Sequence, residues 1–300
     1  GRSFLLKDED EIHRGGEGRI ILMPPKTGLV AKIYHPGIKT IDIQQYNALN
    51  VLPEKYFVKP MDLLYQNNQI VGYSMEYAGK EFFPLSALFS QQFILRNGLD
   101  DKYKVEIADK ITDAVKLSHL QGFVIGDLNQ YNILVNLKGE VKFIDIDSYQ
   151  APGEKHSGVL LDDIRDYYYQ GVVSQNSDYF ALSVLLFSLL TYIHPFKGIH
   201  QKYKSLADRM INRIPVFLDD PLLKVPKCYK SISQPDLQSE FDKIYLQGYR
   251  FLLSVNNFCA AKTFNKPAMI QSLDLENVSL KEIYSAKSIM NVNFNPFFGS

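Results

Sequence analysis

The sequence predicts an α+β fold in two parts, a strand-rich first third with one helix and a helix-rich remainder, meeting near Glu76 to Lys80. Before Gly79 the apolar residues come in short β-type runs separated by turn residues, and after it they recur at helical spacing. With 46% hydrophobic and 22% charged residues in 300, the chain can bury a large core and is not of disordered composition.

In chain order, Ile20 to Met23 and Leu29 to Tyr34 read as strands around the turn Pro24-Pro25-Lys26-Thr27-Gly28. Ile38 to Leu52 has helical spacing, with Ile41, Ala48, Leu49 and Leu52 on one side. Met61 to Tyr65 and Ile70 to Tyr77 read as strands joined by Gln66-Asn67-Asn68-Gln69. Lys104 to Leu120 is an amphipathic helix carrying Ile107, Ala108, Ile111, Ala114 and Val115 on its apolar side. Short strands are expected at Gly122 to Ile125, at Ile133 to Val135 and, after the turn Lys138-Gly139-Glu140, at Val141 to Ile146. Residues 147 to 176 are irregular and polar. Tyr179 to Leu190 reads as a buried helix and Pro235 to Leu253 as another, with a proline suited to a first turn. No internal repeat or low-complexity linker appears.

Lys plus Arg and Asp plus Glu balance at 33 each, so net charge offers no argument for a nucleic-acid partner or an acidic membrane surface. Cys228 and Cys259 form no CxxC pair and read as two thiols in a reducing compartment. The N-terminal GRSFLLKDEDEIHR lacks the apolar run of a signal peptide, and Tyr179 to Ile193 is too short and too interrupted for a membrane span. The expectation is a cytoplasmic protein with neither nucleic acid nor membrane as partner.

Three segments carry chemistry. In His13-Arg14-Gly15-Gly16-Glu17-Gly18-Arg19, three glycines lie between strand-like runs, where backbone N–H groups can approach phosphate oxygens. A plain glycine-rich turn has the same look, and no GK[ST] follows. Lys32 sits in the apolar strand Val30-Ala31-Lys32-Ile33 and shares a face with Val30 and Tyr34. It is either an edge lysine snorkelling to water or a phosphate ligand beneath the glycine turn. In the third segment, Asp127 and Asn132 lie in Ile125-Gly126-Asp127-Leu128-Asn129-Gln130-Tyr131-Asn132, and Asp145 ends the next strand. A hairpin would bring these three together. Two carboxylates and an amide are hard oxygen ligands suited to magnesium, and a carboxylate there can orient a hydroxyl and accept its proton.

From about Glu11 to Leu253 the chain resembles the protein-kinase superfamily, and its wording is most similar to divergent bacterial members of the eukaryotic-like Ser/Thr type. "GGEG…VAKIY" resembles the glycine-rich loop and strand lysine, "IVGYSMEYAG" the fifth strand and hinge, and "IGDLNQYNIL" the catalytic loop. "VKFIDID" resembles the strand ending in D-F-G, and "SDYFALSVLLFSLLTYIHPF" the buried helix after the activation segment. The resemblance implies a two-lobed protein-kinase-like fold: a small antiparallel N-lobe with one helix over residues 1–78, and a mainly helical C-lobe over 79–255. Residues 256–300 would be an extension packed on the C-lobe.

It further implies ATP and Mg2+ (or Mn2+) as cofactors, a protein Ser or Thr hydroxyl as acceptor, and catalysis by Asp127, Lys32 and Asn132. Lys32 would hold the α- and β-phosphates beneath Gly15, Gly16 and Gly18. Met75 would be the gatekeeper, with the Glu76, Tyr77 and Ala78 backbone facing adenine. Asp127 would be the base, Asn132 and Asp145 the metal ligands, and Asp178 the brace of the catalytic loop.

Several positions depart from the pattern. Ile125 and Gly126 replace the usual His-Arg, so switching by loop phosphorylation is not expected. Asn129 stands where a lysine often faces the transferred phosphate, and Asp147 replaces the D-F-G glycine, where a solvated turn residue is the favoured reading over an acid behind the metal ligands or an extra metal ligand. No glutamate precedes Glu54 in the first helix, leaving Gln45 or Asp42 to meet Lys32. Asp163 to Gly171 takes the place of A-P-E. Tyr167, Tyr168 and Tyr169 read as a modification site or peptide platform or, as is more common, as tyrosines packed with their hydroxyls in water, and His119 and His194 read as structural. A nucleotide-binding pseudokinase scaffold and a small-molecule kinase are the alternatives.

Overall fold

The computed structural model describes residues 4–24, 28–153 and 161–254. The first two strands, β1 (Glu11–Arg14) and β2 (Gly18–Leu22), are antiparallel around Gly15-Gly16-Glu17, with a bulge between Glu11 and His13. The third, β3 (Leu29–Tyr34), pairs with β2 from Gly18↔Tyr34 to Leu22↔Val30. Helix α1 (Ile43–Leu49) is shorter than the expected 38–52. Asp42 caps it by accepting the Gln45 N–H at 2.8 Å, and Pro53 follows soon after its end.

Strands β4 (Asp62–Gln66) and β5 (Gln69–Glu76) form a hairpin. Its tip residues Asn67 and Asn68 have φ of 50° and 61°, left-handed values that asparagine tolerates and tight hairpins need. The order β1-β2-β3-β5-β4 makes one five-stranded antiparallel sheet. Glycine is required on both flanks of β3: a Cβ on Gly18 would stand 2.4 Å from Ile33 O, and one on Gly72 2.0 Å from Lys32 O. Its neighbours can therefore approach β3 closely.

Then come β6 (Phe83–Pro84), α2 (Gln91–Arg96), α3 (Asp101–Leu120), β7 (Ile133–Val135) and β8 (Val141–Phe143). The three short strands form a second antiparallel sheet, β6-β7-β8. No strand forms at 122–125. Val124 makes a single bridge to Gln150, because the next N–H groups, of Ile125 and Gly126, turn to the Asp178 carboxylate. Strand β8 stops at Phe143 rather than Ile146, since Asp145 adopts φ 60° and ψ 32° and swings the chain out of extension.

Helix α4 (Gln175–Thr191) is buried on nearly every side and starts at a capping box between Ser174 and Ser177. After it come β9 (Ile199–His200), α5 (Leu206–Ile211), β10 (Leu223–Lys224), which pairs with β9, and α6 (Pro235–Tyr245). Helix α6 ends before the expected Leu253: the N–H groups of Leu246 and Gln247 both return to Asp242 O, and Gly248 takes φ 84°. Residues of the five-stranded sheet, α1, α3, α4 and α6 share one hydrophobic core. The result is an α+β fold. Among the described residues no helix is long and apolar enough to cross a membrane. The expected extension 256–300 and Cys259 lie outside the described residues, as do most of the 24–28 turn and part of the 147–176 stretch.

Candidate active site

A cavity of about 600 Å³ opens beneath the glycine turn, a size ordinary for small-ligand pockets. Ile20 and Val30 line it from the five-stranded sheet, and Leu134 and Ile144 from the β7–β8 side. Met75, Glu76, Tyr77 and Ala78 line one stretch of wall, Gly15, Gly16 and Gly18 another. Lys32, Asp127, Asn132 and Asp145 all reach the same cavity. Every residue singled out in the sequence for a catalytic, cofactor or metal role thus borders this space.

Lys32 is central to it. In the sheet register it faces Tyr73 on β5, and Tyr34 follows two residues later on the same face of β3. Its side chain is 5% exposed. The ammonium lies 2.5 Å from Asp145 Oδ1, 2.9 and 2.8 Å from the two Asp147 oxygens, and 3.7 Å from Glu17 Oε2. Burial opposes a charged lysine, yet Asp147 and Asp145 outweigh it and hold the Lys32 pKa above its ordinary value.

Asp147 corrects the expectation of a turn residue. Its side chain is 3% exposed and accepts the Tyr34 and Tyr73 hydroxyls at 2.6 and 2.8 Å as well as the lysine. Burial works to raise its pKa, and Lys32 and the two hydroxyls overcome that to leave it lowered. Burial and the Asp147 charge in turn push both tyrosines up, so their hydroxyls stay protonated as donors. Neither candidate on α1 meets Lys32. Gln45 Nε2 donates instead to the Asp147 and Tyr149 carbonyls at 2.5 and 3.3 Å, and Asp42 is spent on the helix cap. The absent helix glutamate was the signal: a lysine buried in a strand requires a carboxylate from somewhere.

The loop carrying Asp127 is braced from below. The fully buried Asp178 accepts Ile125 N–H and Gly126 N–H, each at 2.8 Å, and meets His119 Nε2 at 2.8 Å. Asn132 Nδ2 donates to Asp127 Oδ2 at 3.0 Å and to Asp127 O at 3.2 Å. Asn129 is 3% exposed and turns inward, where its Oδ1 accepts the Tyr131 and Asn132 N–H groups. It caps the loop rather than facing the cavity.

Asp127, Asn132 and Asp145 all line the cavity, and their oxygen donors are of the kind a hard divalent cation takes. With its nitrogen committed to Asp127, Asn132 offers its amide oxygen. Glu17, Asp145 and Asp147 also bring carboxylate oxygens within 4.8 Å of one another. The Lys32 ammonium contacts all three, so a cation already sits among these carboxylates and the group does not read as a separate metal centre.

Below the cavity, Tyr167 OH donates to Asp162 and Tyr169 OH to Gly248 O, at 2.7 and 3.0 Å. Arg250 grips Asp166 with two hydrogen bonds of 2.5 and 2.9 Å. His194 Nε2 donates to Asp163 O while its Nδ1 accepts Phe196 N–H, at 2.8 and 3.0 Å. Tyr167 and Tyr169 tie neighbouring groups through their hydroxyls, and His194 bridges two backbone groups as a structural residue. The Arg250–Asp166 pair was not foreseen.

No family model matches the chain. Over 219 residues it is 28% identical to "Protein kinase YegI" of Escherichia coli K12, covering 63% of this chain and 32% of that protein. It is 28% identical over 116 residues to "Serine/threonine-protein kinase PrkC" of Bacillus subtilis, covering 36% and 18%. Over 133 residues it is 28% identical to "Probable serine/threonine-protein kinase PknB" of Lactococcus lactis, covering 42% and 21%. The chain spans about a third or less of the length of these curated relatives. These similarities, at low identity and over part of the chain, support a kinase-like relationship.

Proposed function

We propose that the chain is an ATP- and magnesium-dependent phosphotransferase, and that its acceptor is a Ser or Thr hydroxyl of a protein. One observation carries this reading: Lys32, Asp127, Asn132 and Asp145 converge on a single cavity roofed by the glycine turn. Residues 1–78 and 79–255 then act as two lobes that enclose the nucleotide.

In this reading Ile20, Val30 and Leu134 sandwich adenine against the Glu76 to Ala78 backbone, with Met75 behind it. Gly15, Gly16 and Gly18 cover the phosphates, and Lys32 holds the α- and β-phosphates. Asn132 and Asp145 hold Mg2+ or Mn2+, which supplies charge neutralisation to the phosphates when bound. Asp127 orients the acceptor hydroxyl and takes its proton as the hydroxyl oxygen bonds to the γ-phosphorus and the β–γ bridging oxygen leaves with ADP. Catalysis is then mostly positioning and electrostatics.

The test is incubation with Mg2+, γ-labelled ATP and a protein acceptor, with Asp127→Ala alongside. Label transferred by the wild type and not by the variant supports the reading. Equal labelling by both rejects Asp127 as the base. The inward turn of Asn129 favours a second reading, a nucleotide-binding scaffold, because that position then offers no group to the developing charge. Nucleotide binding without transfer to any protein or small-molecule acceptor would support it.

A further inference from the structure

We propose that Asp147 is the positioning residue for Lys32, supplying from the segment after Asp145 the anchoring carboxylate that helix α1 lacks. The inference rests on the nucleotide-binding reading above and deepens it. Asp147 does not line the cavity, whereas Lys32 and Asp145 do. Lys32 is the cavity-lining side chain that Asp147 bonds, and the lysine is its direct route to a bound nucleotide.

The geometry is that of a fixed anchor. Both Asp147 oxygens contact the ammonium, and each also accepts one tyrosine hydroxyl, Oδ1 from Tyr73 and Oδ2 from Tyr34. Those tyrosines are the cross-strand partner of Lys32 and its neighbour two residues on, so the pleat of the sheet itself places them around the carboxylate. The Asp147 main chain is secured by Gln45 from α1. The carboxylate thus has little freedom to turn away, and the lysine, a flexible four-carbon chain, is fixed by it. Asp145 shares the ammonium but its side chain is 40% exposed and faces the cavity, leaving it available to a cation or phosphate.

Helix α1 brings no carboxylate to the lysine, and its Gln45 side chain is tethered to the Asp147 and Tyr149 carbonyls. Displacing α1 would move the segment after Asp145 and the Lys32 anchor together.

The test measures the dissociation constant of a fluorescent ATP analogue for the wild type, Asp147→Asn, Lys32→Met and the double variant, with folding checked by circular dichroism. Asp147→Asn should weaken binding about tenfold. In the Lys32→Met background the same change should cost nothing further, because its target is gone. Tyr73→Phe removes one hydroxyl from the anchor and should weaken binding about threefold. It decides the matter by the same criterion if Asp147→Asn does not fold. Wild-type affinity in folded Asp147→Asn, or additive losses in the double variant, would overturn the anchor and leave the nucleotide site standing. Failure of the wild type to bind the analogue would overturn both.

Discussion

Arg250 clasps Asp166 through Nε and Nη2 at 2.5 and 2.9 Å, and the two side chains are 5% and 3% exposed. The pair ties the segment after residue 161 to the chain just past α6. The guanidinium also donates to Ile244 O and Tyr249 O and lies 4.8 Å from the Phe180 ring. Truncating one partner strands a buried charge. Arg250→Ala should therefore lower unfolding free energy by about 3–5 kcal/mol in urea titration. Arg250→Lys should recover little of it, since lysine has no planar fork.

Asp178 satisfies two buried backbone N–H groups and a histidine at once. Asp178→Ala should cost about 2–6 kcal/mol, from two orphaned donors at about 1–3 each. Amide exchange at Ile125 and Gly126 should accelerate beyond the global change. Unaltered exchange there would mean that the loop is held by something else.

Asp127 and Asp145 should separate in kinetics. Asp127→Ala should slow phosphoryl transfer by about 10²–10⁴-fold and leave nucleotide affinity within about threefold. Asp145→Ala should weaken the magnesium-dependent part of nucleotide binding itself. The same loss of affinity in both variants would contradict the division of roles.

Gly16 and Gly18 differ in what they protect. Gly16 has open space where a Cβ would go, whereas a Cβ on Gly18 meets the Ile33 carbonyl at 2.4 Å. Gly18→Ala should cost about 1–3 kcal/mol by pushing β2 from β3. Gly16→Ala should stay within about 0.5 kcal/mol of wild type in stability, and its effect should fall on nucleotide affinity.

His194 gives a pH signature. Burial pushes its pKa down to about 4, and its Nδ1 already accepts the Phe196 N–H. The unfolded chain takes up the proton at about 6.5, before the folded protein does. Its contribution to stability is therefore complete above about 6.5 and is lost as pH falls toward about 4, amounting to about 3 kcal/mol. His194→Asn keeps an acceptor near the Nδ1 position and should flatten that part of the profile. An identical slope from pH 7 to pH 4.5 in both proteins would refute the assignment.

Much of the site was legible because its chemistry lies in contiguous stretches. The glycine turn, Lys32 in an apolar strand and the run from Ile125 to Asp145 each carry a local pattern, and a hairpin joins the last two aspartates over a short span. Helices α3 and α4 announced themselves by length and spacing. Helices α2 and α5 have six residues each, under two turns, too few to show a period, and β6, β9 and β10 have two residues each. Leu246 to Leu253 kept enough apolar residues to look helical, although the chain turns at Gly248.

By itself the sequence determined which residues could carry charge, bind oxygen-rich ligands or line a sheet face. Only the tertiary structure decided which of them meet. Asp147 reaches Lys32 across 115 positions, Gln45 reaches the Asp147 carbonyl across 102, and Arg250 reaches Asp166 across 84. Periodicity reports the face a side chain takes, and no local pattern records what the folded chain brings opposite that face. A buried charge makes a partner obligatory, and the path of the chain through the core selects it.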